Sequence, residues 1–189
     1  MTMGKLFVDS SEAEYNARIH KTLDKWLYYT EGYKIAAEMI ENRLLENPDK
    51  QDFLIYPLLY ANRHYLELKL KEIIVEGHSI IGQTKDFLKE GHNLIKLWRE
   101  SQRIMKLVYN EDYQAPSVSI ENKIKELHDA DINSDGFRYP INLKGKQNLE
   151  SLKIINFRNF KDEFFEIKQY LETVADSFYA IKDLASRIE

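Results

Sequence analysis

The sequence predicts an all-α fold, and three observations carry that prediction. Apolar residues recur at helical spacing in five separate segments. Seven glycines and four prolines are few for 189 residues, so turns are rare and elements long. Turn chemistry is concentrated in one passage, Asp129 to Gly136, the most turn-rich in the chain. The length suits one well-buried core, and two domains would be crowded, so residues 1–189 read as a single helical domain.

In the first segment Asp9, Ser10 and Ser11 offer N-caps, with Glu12 and Glu14 in the first turn. Tyr15, Ile19, Trp26, Tyr29, Tyr33, Ala37, Ile40 and Leu44 then share one face. They predict one long helix to about Leu45, weakened at Gly32 and ended by Asn47-Pro48-Asp49. A second helix spans about Gln51 to Val75, and Pro57 either kinks it or marks its true start. Gly77 and Gly82 bracket a short polar loop, and Lys85 to Glu90 allow one more helical turn.

Asn93 caps a third helix, whose stripe of Leu94, Leu97, Trp98, Ser101, Ile104, Met105 and Val108 runs to about Tyr109. After a linker from Asp112 to Pro116, Val118 to His128 reads as a shorter fourth helix. Residues 129–155 form a small irregular or β-hairpin insertion. Its candidate strands are Phe137 to Ile141 and Leu152 to Ile155, around the Lys144-Gly145-Lys146 turn. A last helix from about Phe157 to Arg187 turns Phe160, Phe164, Ile167, Leu171, Val174, Phe178, Ile181 and Ala185 to the core.

A net charge of −4 and a pI near 5.8 leave no global electrostatic footprint for nucleic acid, although a local basic cleft is compatible with them. With no cysteine, disulfides, thiolate zinc sites and cysteine nucleophiles are excluded. No signal-like or membrane-spanning apolar run occurs, so a cytoplasmic protein without membrane association is expected.

The most informative stretch is Arg63-His64-Tyr65-Leu66-Glu67-Leu68-Lys69-Leu70-Lys71. At about 100° per residue, Leu59, Leu66, Leu70, Ile73 and Ile74 fall within roughly 80° of Arg63, placing an arginine inside an apolar stripe. Glu67, one turn on, can accept a forked hydrogen bond from it and still reach Lys71. The plainer reading is a buried ion pair that fixes helix register. The sharper one is an anion or catalytic site in which Arg63 holds phosphate and His64 relays protons.

His92 stands before a helix N-terminus, where an anion is favoured, but Asn93 already accounts for the cap. Arg138, if on a strand, points away from Phe137 and Tyr139 and either reaches a carboxylate such as Glu67 or lies solvated. Asp131, Asn133, Asp135 and Gly136 match the first half of a calcium loop. Position twelve is then Asn142 rather than glutamate, so a polar turn is the commoner reading and no metal or other cofactor is expected. There is no metal-binding histidine pair, phosphate-binding glycine loop or nucleophile elbow.

Three blocks together resemble the HEPN-type (higher eukaryotes and prokaryotes nucleotide-binding) helical proteins of bacteria. They are the Arg63–Lys71 stretch, Gly91-His92-Asn93-Leu94 with Leu97-Trp98, and Phe137-Arg138-Tyr139-Pro140. The likeness covers roughly the central half of the chain. It implies an up-and-down bundle of four or five helices, often a homodimer, in toxin–antitoxin, phage-defence or RNA-processing systems. Ribonucleases of that type carry an arginine followed four to six residues later by histidine. This chain has no such pair, since Arg63 and His64 are adjacent.

The expectation is therefore a binding or interaction module of a bacterial stress, defence or RNA-linked system, acting on a nucleotide, RNA or a cognate protein without catalysis. Its candidate binding residues are Arg63, His64, Glu67, Lys71, His92 and Arg138. A metal-independent ribonuclease with a non-standard Arg/His site, and a partner protein whose polar cluster only sets packing, are the alternatives.

Overall fold

The computed structural model describes Leu6, residues 11–17, Ile19, residues 25–83 and residues 91–187. Five α-helices make up the fold: α1 Lys25–Glu46, α2 Gln51–Ile80, α3 Leu94–Tyr109, α4 Val118–Ala130 and α5 Phe157–Ser186. No strand occurs among the described residues, so the all-α bundle stands. The hairpin does not form. One isolated antiparallel bridge, Ile141 with Gln147, and the turn bonds to Asn142 stand in its place, and Leu152 to Ile155 run as coil.

The helix ends follow local chemistry. Asn93, Ser117 and Asn156 each accept a backbone N–H from the first turn that follows, capping α3, α4 and α5. The start of the first helix is a correction. Tyr15 belongs to a short 3₁₀ helix and Ile19 to a turn, both about three-quarters exposed, and α1 begins at Lys25. With no core to pack on, helical spacing there stabilises nothing. The suggested turn at residues 85–90 lies outside the described residues.

α2 is longer than its periodicity indicates. Pro57 sits inside it, close enough to the N-terminus that the carbonyl it leaves unbonded belongs to exposed Phe53 and can meet water. Gly77 is not a loop residue but a helix contact. A Cβ there would stand 2.1 Å from Ile104 Cγ2 and 2.8 Å from Phe178, so only glycine lets α3 and α5 close on α2.

α2 is the central helix, packed against α1, α3 and α5, while α4 bridges α3 and α5. Leu66, Leu70, Ile73, Trp98, Ile104, Leu171 and Phe178 form the heart of the main core. A smaller cluster of Ala37, Leu44, Leu58, Ala61 and Phe157 joins α1 to α2 and to the start of α5. Tyr65 donates to Glu172 and Tyr179 to Glu72, and Lys182 pairs with Glu76. The separations of 107, 107 and 106 residues show that α5 runs parallel to α2. The long connection of residues 131–156 makes that direction possible.

Because α2 is surrounded, its charged residues are buried as well as its leucines. Lys69 and Glu72 pair at 3.0 Å with almost no exposure, and Glu76 is buried beside Lys182. No helix among the described residues is long and apolar enough to cross a membrane.

Candidate functional site

Arg63 is completely buried, and every group it meets belongs to the fold. Its Nη1 donates to Glu67 Oε2 at 3.0 Å, one turn along α2. Nη2 donates to the His92 carbonyl at 2.9 Å, and Nε lies 3.3 Å from both the carbonyl and Oδ2 of Asp131. One guanidinium therefore ties α2 to the turn before α3 and to the turn after α4. Glu67, 1% exposed, also accepts from Lys71 Nζ at 2.7 Å and meets His92 Nδ1 at 2.8 Å. Two carboxylates offset two side-chain cations, which is what a buried network requires.

Asp131 is the member that sequence reading missed. Its spacing with Asn133 and Asp135 matches half a calcium loop, but its side chain turns inward. Oδ1 accepts the N–H groups of Asp135 and Gly136 at 2.9 and 2.8 Å, closing the turn on its own amides. Among the described residues no group of three histidines or carboxylates could hold a metal ion. Nothing local could have announced the pairing, since Arg63 and Asp131 are 68 residues apart.

Electrostatics favour the ionised network. Burial pushes the Glu67 carboxyl up, but the hydrogen bonds and charges of Lys71 and His92 outweigh it and hold it below the ordinary carboxylate value. His92 holds Glu67 through one nitrogen while its side chain stays 60% exposed.

His64 points elsewhere. It is half-buried against α1, its ring edge-on to Tyr33 at 4.3 Å and stacked on Tyr60 at 5.6 Å with planes 14° apart. Burial lowers its pKa, so it is a neutral ring at pH 7 rather than a cation.

Arg138 does not reach Glu67, because no strand forms to aim it. It curls back to donate from Nε to the Ser134 carbonyl at 2.7 Å, and again from Nη2. Its guanidinium lies 5.6 Å from the Tyr60 ring centroid and 5.4 Å from that of Tyr139. Arg138 and Tyr139 are exposed, and no carboxylate pairs with Arg138 among the described residues. Tyr33, His64, Tyr60, Arg138 and Tyr139 thus make a continuous strip of rings and one cation across α1, α2 and the 131–156 connection.

The six candidates accordingly divide. Arg63, Glu67 and Lys71 are inside, with His92 as their edge, while His64 and Arg138 belong to the aromatic strip. Comparison with family models, curated proteins and solved structures finds no match to this chain.

Proposed function

We propose that the chain is a HEPN-like binding module of a bacterial stress, defence or RNA-linked system. In this reading it holds unpaired bases of single-stranded RNA on the strip of Tyr60, Arg138 and Tyr139 and cuts nothing. The carrying observation is the complete burial of Arg63. The arginine beside the histidine is consumed by Glu67, Asp131 and the His92 carbonyl, so it has no free face for a scissile phosphate. Arg138, by contrast, presents an exposed guanidinium between half-buried Tyr60 and exposed Tyr139, an arrangement suited to stacking bases.

A net charge of −4 makes stacking, rather than phosphate neutralisation, the main source of affinity. The test is an anisotropy titration of a labelled, unstructured RNA. Arg138→Ala and Tyr60→Leu are each expected to weaken binding about tenfold or more, in line with ~1–3 kcal/mol per stacked base. Binding that neither substitution changes assigns the RNA to another surface.

We also propose a homodimer through the outward face of α1. Tyr28, Ile35 and Met39, spaced seven and four residues apart, are all more than half exposed there. Sedimentation of Ile35→Glu against the parent chain tests it, with a monomer expected from the variant alone.

A further inference from the structure

Beside the strip, and independent of it, lies a half-open cavity of about 450 Å³ between α4, α5 and the connection that precedes α5. Its floor is core: Leu59, Leu127, Phe137, Phe164 and Ile167, all buried. Leu152, Ile154 and Ile155 line one side of it, and with Lys153 the same segment walls a second hollow of about 730 Å³. Ile154 borders both, yet its side chain is 93% exposed, and Leu152 is also solvent-facing. Among the described residues, residues 150–155 make a single backbone hydrogen bond, Leu152 N–H to Leu149 C=O, a local turn to the residue just before the segment. The segment is thus anchored by Ile155, which packs on the core, while Leu152 and Ile154 stay exposed at the cavity edge.

The polar rim carries a sign. Lys123 is neutralised by Glu163 and Glu166, at 2.6 Å each, leaving Glu126 on the same rim with no ion pair among the described residues. Of the charges that line the cavity, Glu126 and Glu163 outnumber Lys123, whose ammonium Glu166 also holds from outside, so the rim repels an anionic head and attracts a cationic one. The volume is within the usual range for a small ligand, and the lining is mainly apolar.

We propose that this cavity binds a small cationic amphiphile, an aryl- or alkylamine, with its apolar body against Phe137, Phe164 and Ile167. Its ammonium sits at Glu126 and Glu163, and Ile154 folds inward over the bound body.

Three probes share one body and differ in head: 4-phenylbutylamine, 4-phenylbutan-1-ol and 4-phenylbutyrate. Titration of the full chain, followed by calorimetry and by the isoleucine methyl signals, is expected to rank them amine, alcohol, carboxylate. The span from first to last should be about tenfold at low salt and shrink as salt rises. Ile154 and Ile167 methyls should shift together. Glu126→Gln with Glu163→Gln should bring the three affinities within about twofold, the charge contribution being gone. Ala130→Phe, which fills the cavity from α4, should abolish binding of all three. Equal affinities in the parent chain, no binding of the amine, or shifts that miss Ile154 and Ile167 would each overturn the proposal. The methyl readout needs no variant, so the test survives if Ala130→Phe does not fold.

Discussion

Arg63 Nη1 and Glu67 Oε2 stand 3.0 Å apart at the centre of the bundle, with 0% and 1% of their side chains exposed. A pair so sealed cannot exchange its partners for water. Its removal is therefore felt by the whole fold rather than by a surface site, and the consequences can be measured.

Arg63→Met is expected to destabilise by about 3–5 kcal/mol, because it strands buried Asp131 without a cation and leaves Glu67 to Lys71 and His92 alone. Glu67→Gln should cost less, since its one amide oxygen still accepts from one of the two cations and Arg63 keeps Asp131 and the His92 carbonyl. Urea melts of the two variants check the order. A neutral Arg63→Met would contradict the burial of the network.

Gly77→Ala sets two effects against each other. Alanine gains about 1 kcal/mol of helix propensity over glycine. The new methyl, however, meets Ile104 Cγ2 at 2.1 Å and Phe178 at 2.8 Å, and overpacking of that kind costs about 1–3 kcal/mol. The expected net is a loss. Adding Ile104→Ala should leave the double variant more stable than the sum of the two single effects, which a double-mutant cycle reads directly.

Acid should unfold the protein in two stages. Burial holds His64 and His128 below the ordinary histidine value of 6.5, so folding favours their neutral forms. A depressed folded pKa contributes stability above the unfolded value and loses it as pH falls through the folded one. That first loss begins below 6.5. For Glu67 and Glu172 burial acts upward, but the lysines beside them prevail and the folded values lie below 4.5. Their contribution is intact above 4.5 and disappears below it. Urea melts across the pH range should show both declines, and His64→Gln with His128→Gln should flatten the first. An unchanged first decline in that double variant would place its source elsewhere.

These outcomes also mark how far the sequence could be read. α3 and α5 were legible because their apolar stripes, and for α3 the cap Asn93, are local signals. The pairing of Arg63 with Glu67 was legible too, since both lie on one helix a turn apart. Tyr15 and Ile19 misled because periodicity records a face without recording whether anything packs on it. Gly77 read as a loop residue because its reason for being glycine is a contact with Ile104 and Phe178 on other helices. Asp131 was hidden by its company, as a turn full of aspartates resembles an ion loop until one carboxylate is seen facing a buried arginine. Arg138 was aimed by an expected strand that tertiary structure did not form.

The central claim is that Arg63 builds the fold and performs no chemistry. Incubating the chain with single-stranded and structured RNA, first in EDTA and then in Mg²⁺, tests it most directly. Intact RNA in both conditions is the predicted result, at protein concentrations that saturate binding. RNA cut in EDTA, with cutting lost in His92→Ala and in Arg63→Lys variants that still fold, would contradict the account and make the network an active site.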